Sequence, residues 1–483
     1  MSRAARILAA GVALSAVLAG CTVGPNYKRP DVPITPAFKE EQGWTPSHPT
    51  DAIDKGAWWS MFNDPVLDGL ERRVAISNQT VKQAEAAYRQ AHEIVAEARA
   101  AYFPTLGAVG SADRSKGSGA AASAAGSSGS TASASPATGN SFALSLEASW
   151  VPDLWGKVRR TVESDKALAQ AGAADLANAR LAAQATLAED YFTLRVLDEE
   201  AALYGRTIAD YERFLKLTQD QFREGTQPQS AVLTAETQLD GAKAAAIALG
   251  VQRADMEHAV AVLVGVPPAE LNIAATTLSR DVPTPPVAVP STLLQRRPDI
   301  AAAERQMQSG NALIGVAMTA YYPDLTLSGD YGFAASNLGR LFNASSSVWS
   351  FGASGAETLL DFGLRHAQVA AARAVYDQDV ASYRQTVLTA FQGVEDELAA
   401  LRIYQQQEAA LLATEDAARK TVKLDLDEYR EGTIDYTTVI TAQAVLTTAS
   451  LNVLGVLQNR LQASVLLVED LGGGWSTADL PKS

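Results

Sequence analysis

Arg223-Glu224-Gly225-Thr226 recurs 207 residues on as Arg430-Glu431-Gly432-Thr433, and this pair of stretches decides the fold. Val232-Leu233-Thr234-Ala235 recurs as Val439-Ile440-Thr441-Ala442 in the same register. Gly156, after Asp153-Leu154-Trp155, answers Gly363, after Asp361-Phe362, and Gly265 answers Gly472, again 207 residues apart. One short match is chance; four in one register mark an internal duplication. Upstream, Ala101-Tyr102-Phe103-Pro104 answers Ala320-Tyr321-Tyr322-Pro323 at an offset of 219, so the first half carries 12 extra residues. That interval holds a Ser/Gly/Ala-rich stretch, residues 114–140, which reads as a flexible surface loop.

Each half reads as a helix, two strands, a long helix, a sharp turn and a shorter helix. The first repeat is expected over residues 64–265 and the second over 291–472, joined by a proline-rich, irregular connector at 266–290. No proline interrupts residues 153–227 or 324–480, where Ala, Leu, Gln, Glu and Arg dominate, all good helix formers. A continuous helix from Gly156 to Gly225 would run on the order of 100 Å at 1.5 Å per residue. One stripe at helical spacing reads Ala167, Ala171, Ala174, Asn178, Leu181 and Ala185. Small side chains let helix backbones approach closely, which suits a bundle of long helices packed side by side. Gly225 and Gly432 fit the left-handed position that reverses one helix into the next.

The strands alternate. Phe142, Leu144, Leu146, Ala148 and Trp150 interleave with Ala143, Ser145, Glu147 and Ser149. Leu325, Leu327, Gly329, Tyr331 and Phe333 interleave with Thr326, Ser328, Asp330 and Gly332. Each run has the length of a tilted strand crossing a bilayer, about 10 residues; a half-buried strand of a soluble sheet has the same period. Weaker strand patterns fall near residues 106–112 and 348–355. Four strands per chain cannot close a barrel, and an open edge in lipid leaves backbone groups unpaired. Two, three or four copies sharing one barrel would give roughly 8, 12 or 16 strands, and periodicity does not choose among them.

Cys21 is the only cysteine of the 483 residues. Arg3 and Arg6 precede an apolar stretch, residues 7–19, that ends Leu18-Ala19-Gly20-Cys21. This is the form of a lipoprotein signal peptide at residues 1–20, followed by a lipid-accepting thiol. Thr22, in place of aspartate, leans toward the outer membrane over inner-membrane retention. Residues 21–63 read as an extended, lipidated N-terminal segment and 473–483 as a tail. A lone cysteine leaves no internal disulfide, so packing supplies the stability. The formal net charge of −14 argues against a nucleic-acid partner and against an anionic-lipid surface binder. After the signal no unbroken apolar run of about 18 residues occurs, so membrane residence is expected to rest on lipid and strands.

Catalytic patterns are missing. His48, His92, His258 and His366 lie in different segments, and His92-Glu93 lacks the second histidine of a zinc-protease helix. No phosphate-cradling or dinucleotide-binding glycine pattern occurs. Asp361-Phe362-Gly363 mimics a kinase tripeptide, but its duplicate at residues 153–156 marks both as strand-to-helix turns. Neither an enzyme nor a cofactor is expected, apart from covalent lipid on Cys21. The rival reading is a lipid-anchored helical scaffold or adhesin without a pore.

Further motifs resemble a known family. Leu18-Ala19-Gly20-Cys21, Gly24-Pro25-Asn26-Tyr27, Trp58-Trp59 and Asp64-Pro65-Val66-Leu67 fit it. The most specific are Leu294-Gln295-Arg296-Arg297-Pro298-Asp299-Ile300, Ala303-Glu304-Arg305, Ile314-Gly315-Val316-Ala317 and Leu471-Gly472-Gly473-Gly474-Trp475. The chain resembles the NodT-type outer-membrane factors of tripartite efflux pumps, outer-membrane efflux lipoproteins of the TolC-like family. The resemblance implies a mainly α fold with transmembrane β: a long α-helical periplasmic barrel joined to an outer-membrane β-barrel shared between protomers. It implies a homotrimer with a 12-stranded barrel and a 12-helix tunnel, lipid-anchored in the outer membrane and extending into the periplasm. The partners implied are a periplasmic adaptor, an inner-membrane resistance-nodulation-division transporter and outer-membrane lipid. The channel would be a passive conduit exporting small molecules.

In that picture Arg223, Glu224, Gly225, Thr226, Arg430, Glu431, Gly432 and Thr433 form the periplasmic tip that meets the adaptor. Plain helix-turn chemistry would need the glycines but not the repeated Arg, Glu and Thr. The family's gate tyrosine is matched by Tyr429. The carboxylates often found six and nine residues after the second turn glycine are replaced by Thr438 and Thr441, and Ala231 stands at the first-half acceptor position. Asp435 is the nearest carboxylate. The expectation is a looser gate, or one sealed by threonine and apolar contacts.

Overall fold

The computed structural model describes residues 22–32, 35–40, 56–116, 138–283 and 290–481. Cys21, the signal segment and residues 117–137 lie outside the described residues. The chain is mainly helical with one sheet, in the order α1 (Pro65–Ser77), α2 (Gln79–Ala100), β1 (Thr105–Lys116), β2 (Thr138–Trp150), α3 (Lys157–Arg223), α4 (Gln229–Leu263), α5 (Pro290–Arg296), α6 (Pro298–Thr319), β3 (Asp324–Ala335), β4 (Ser347–Ala356), α7 (Leu364–Arg430) and α8 (Tyr436–Asp470). The long helices α3 and α7 have 67 residues each, α4 and α8 have 35 each, and each pair is offset by 207.

The chain forms two compact units. One comprises residues 1–28, 91–169 and 306–379, the other residues 29–90, 170–305 and 380–483. Each unit takes segments from both halves of the sequence.

The first unit holds a four-stranded antiparallel sheet in the order β1-β2-β3-β4. The patterns read as weak near residues 106–112 and 348–355 are full strands of 12 and 10 residues. Their glycines, alanines and serines blur the alternation, but the neighbouring strands hold them in register. The supposed loop at 114–140 is shorter than expected: Arg114–Lys116 and Thr138–Asn140 pair at the ends of β1 and β2. One face of the sheet carries Leu106, Leu144, Leu146, Trp150, Tyr331, Trp349 and Phe351, all exposed. The other carries Ser111, Asp113, Ser145, Glu147, Thr326, Asp330 and Ser350. Phe342 packs on Phe333 of the apolar face, 5.7 Å between ring centroids.

The N-terminal residues pack on this unit. Val23 N–H donates to Trp155 O at 3.1 Å. Arg160 is buried and donates to Val23 O, Gly24 O and Asn26 Oδ1 at 3.1, 3.1 and 2.9 Å. Gly24 has φ +100°, and a Cβ there would strike the backbone of Gly315. The paired glycines of two sequence motifs are thus a close crossing of backbones.

The second unit has the larger core. Trp58, Trp59, Phe62, Leu67, Leu187, Tyr191, Val260, Leu457 and Val465 share one buried cluster. Asp64 caps α1, accepting from Val66 N and Leu67 N at 2.8 and 3.2 Å, with Pro65 at the first helical position. Its second oxygen accepts from Tyr191 Oη at 2.5 Å. The Trp-Trp and Asp-Pro-Val-Leu motifs are therefore one helix start pinned to one core. Arg297 donates to Asp299 at 2.8 Å and to Asp470 Oδ1 and O at 2.7 and 2.8 Å, clamping the end of α8 to the start of α6. Of the predicted alanine stripe, Ala171, Ala174, Leu181 and Ala185 are buried in this unit and Ala167 in the first, with Asn178 exposed.

Two further expectations are corrected. Pro290 opens α5 and does not belong to an irregular join, as proline is tolerated at a helix start. Helix α8 is long and apolar enough to cross a membrane, although threonine and glutamine residues break its apolar runs; half of that window is buried inside the chain. Burial in a protein core accounts for its composition.

Glu71 is fully buried on α1, and neither carboxylate oxygen has a hydrogen-bond partner among the described residues. Burial, with the neighbouring Asp68 charge, pushes its carboxyl up from 4.5 to about 9. The folded value lies above the unfolded one, so the folded chain holds a proton that the unfolded chain releases. This contribution is complete below about pH 4.5 and is lost as pH rises toward 9, on the order of 3 kcal/mol by neutral pH. Glu71→Gln is expected to melt higher than the parent at pH 8 and to flatten the pH dependence of melting between pH 5 and 9. Parallel melting curves for the two proteins would show that Glu71 is not the cause.

Candidate functional site

The two tip turns are built alike. Gly225 and Gly432 have φ of +75° and +77°, the left-handed conformation that closes a helix at low cost only for glycine. Thr226 N–H and Oγ1 both donate to Gln221 O at 2.9 Å. Thr433 repeats this on Glu428 O at 3.0 and 2.9 Å. Arg223 pairs with Asp220 and Arg430 with Asp427, one turn back on their helices. The repeated threonine and arginine thus each have local work in the turn, which the expectation above had denied to plain turn chemistry. Glu224 and Glu431 are exposed and belong to no ion pair among the described residues.

Tyr429 points inward. It is 6% exposed, and its hydroxyl donates to Gln221 Oε1 on α3 at 2.6 Å. Its ring lies 5.7 Å from Tyr436, which lies 6.0 Å from Phe214. Ala235, Val439 and Ile440 complete the cluster. The end of α7 is therefore bonded to the end of α3 by one hydrogen bond and an aromatic stack. Burial pushes the Tyr429 hydroxyl above its usual range, against the pull of Gln221 and Thr218, so it stays a donor at any physiological pH.

The remaining gate candidates stand apart from this cluster. Asp435 is the N-cap residue of α8, is exposed, and its side chain makes no capping bond. Thr438 and Thr441 are exposed, and Thr441 Oγ1 is taken up by Thr437 O at 2.8 Å. Gln221, Tyr436 and Phe214 were not singled out from the sequence. A signal for Tyr436 was present: its first-half counterpart is Gln229, and the counterpart of Tyr429 is Phe222. Paired tyrosines in one repeat alone mark an asymmetry between otherwise matched turns.

A sheet with one apolar exposed face, carried by a chain of paired 67- and 35-residue helices, is the protomer architecture of an outer-membrane channel. The chain belongs to the outer membrane efflux protein family, whose model matches residues 71–266 and 289–473. It is 28% identical over 464 residues to the probable efflux pump outer membrane protein TtgC of Pseudomonas putida, covering 95% of this chain and 94% of that protein. The solved structure of the outer-membrane channel OprN matches with a TM-score of 0.85 at 28% identity, over 94% of this chain and all of that one. The open state of the Neisseria gonorrhoeae MtrE outer membrane channel matches at 0.82 and 26%, over 95% and 99%. The protein is an outer-membrane efflux channel component reaching into the periplasm, and its family is one of conduits, not of enzymes.

Proposed function

We propose that three copies of this chain assemble into one passive conduit, with a shared 12-stranded barrel and a 12-helix tunnel, and that it serves a tripartite pump for small molecules. The observation that carries this is the open sheet. Among the described residues, strands β1 and β4 each pair on one side only, and every residue of both strands is exposed. Unpaired backbone in lipid costs several kcal/mol per group, so neighbouring copies supply the missing strands. Three copies follow the family resemblance, as does reading the two matched halves as a gene duplication.

The partners are a periplasmic adaptor and an inner-membrane resistance-nodulation-division transporter, which supplies the energy. The adaptor meets the turns at Arg223 to Thr226 and Arg430 to Thr433, where exposed Glu224 and Glu431 are free of turn duties. Acylated Cys21 anchors the chain; the next residue, Thr22, lies against Gly156 at the start of α3, which supports an anchor beside the sheet. Native mass spectrometry of mild-detergent extracts is expected to give a trimer, and reconstituted liposomes to conduct. Stable folded monomers without conductance would leave the scaffold reading standing. Crosslinked envelopes are expected to yield one adaptor and one transporter.

The gate is sealed by Tyr429, Gln221 and the aromatic cluster, with Thr438 and Thr441 where carboxylates often stand. Block by divalent cations in single-channel recordings is therefore expected to be weak, and residual block to depend on Asp435. Strong block that survives Asp435→Asn would contradict it.

A further inference from the structure

The sheet joins its helices at one end, where Thr105, Trp150, Asp324 and Ala356 lie; the β1–β2 and β3–β4 connections lie at the other. With the helices in the periplasm, that other end faces the exterior. Followed toward it along β1, the apolar face reads Leu106, Ala108, Gly110 and Ala112, and then Arg114 and Lys116. The β3–β4 connection adds Arg340, and no Asp or Glu occurs in residues 114–140 or 336–346. The chain's net charge of −14 is therefore reversed locally at this end. Arg114, Lys116 and Arg340 are exposed, and none forms an ion pair among the described residues.

The same face holds a slot of about 310 Å³. Ala108 leaves it open on β1, Leu144, Leu146, Tyr331 and Phe333 wall it, and Phe342 reaches over it from the β3–β4 connection. The placing of Phe342 is not casual. Leu341 beside it is buried, and Arg340 O accepts from Asn343 N at 3.1 Å and from Ser346 Oγ at 2.9 Å. An exposed hollow walled by hydrocarbon and rings suits an alkyl chain. Leu144 stands opposite Gly110, so Arg114 lies four residues up the strand from the slot, roughly 13 Å at 3.4 Å per residue. Half of a bilayer's hydrocarbon core is about 15 Å. A chain seated in the slot therefore brings its head to the level of the cations.

We propose that the exterior end of this face binds a polyacylated, diphosphorylated glycolipid of the outer leaflet. One acyl chain lies in the slot under Phe342, others lie on the remaining apolar face, and the phosphates meet Arg114 and Lys116 on β1 and Arg340 on the β3–β4 connection. Guanidinium groups suit phosphate, which they can hold through paired hydrogen bonds. A common glycerophospholipid brings one phosphate to these cations; the glycolipid brings two. The site rests on reading the apolar face as the lipid-facing one.

The test is native mass spectrometry of the purified full chain in detergent, titrated with diphosphoryl lipid A, phosphatidylglycerol or phosphatidylethanolamine. The parent is expected to bind lipid A saturably and more than tenfold tighter than either phospholipid. Arg114→Gln/Lys116→Gln/Arg340→Gln loses that preference, while Arg114→Lys/Arg340→Lys keeps most of it. Phe342→Ala weakens lipid A severalfold. Equal affinity of the parent for lipid A and phosphatidylethanolamine overturns the site, and so does a triple glutamine variant that binds as the parent does. Equal affinity for phosphatidylglycerol overturns the choice of lipid, and a Phe342→Ala variant that binds as the parent does overturns the slot. Conductance and subunit number of the same preparations report on the channel separately: a conducting assembly that does not favour lipid A defeats only this site.

Discussion

Tyr429→Ala raises the resting conductance of the channel in planar bilayers severalfold. The substitution removes the hydrogen bond to Gln221 at 2.6 Å and the ring that sits 5.7 Å from Tyr436. A net hydrogen bond is worth about 1 kcal/mol, while truncating a buried aromatic side chain costs roughly 3–5 kcal/mol. Most of the effect therefore belongs to the ring. Tyr429→Phe keeps the ring and is expected to raise conductance much less. Gln221→Leu, which removes the acceptor at 2.6 Å from the hydroxyl, falls between the two. If all three variants rest at the parent conductance, the α3–α7 contact is not what closes the tip.

Glu147→Gln combined with Asp330→Asn shifts the channel from cation-preferring toward non-selective. The strand register sets these two carboxylates directly opposite each other on the polar face of the sheet. Like charges so placed are about 5 Å apart at Cβ and repel. Neither has an ion-pair partner among the described residues. Asp113 lies on the same face, while Arg114 and Lys116 project with alternate residues of β1, Arg114 to the apolar face and Lys116 beyond it at the strand end. With the apolar face in lipid, the polar face lines the lumen, where fixed negative charge favours cations. The measurement is the reversal potential in a salt gradient; the double variant moves it toward zero. A parent channel with no charge preference, or a variant that keeps it, would remove these residues from selectivity.

Much of this was legible from the chain alone, for physical reasons. The 207-residue offset located both long helices, because the same glycines bound a proline-free run of helix formers in each half. Strand β2 was legible because Phe142 to Trp150 alternate with polar residues on a sheet that separates two media. Strands β1 and β4 were faint because Gly and Ser at many of their positions carry little hydrophobic signal. Tyr429 was found by resemblance. Its partner Gln221 was hidden because a neutral amide on a solvent-rich helix end looks like any surface residue until the distant tyrosine hydroxyl that donates to it is placed. The threonines of the turns were misjudged because their hydroxyls bond to backbone carbonyls, which leave no trace in a residue pattern.

The interleaving of the two units sets a timetable for synthesis. Leu146 on β2 pairs with Tyr331 on β3, 185 residues downstream. Local helices can form early, but the central ladder waits until two-thirds of the polypeptide has emerged, and contacts of such long range are slow to form. The half-sheet is thus among the last parts of the chain that can assemble, after the helices of the first half.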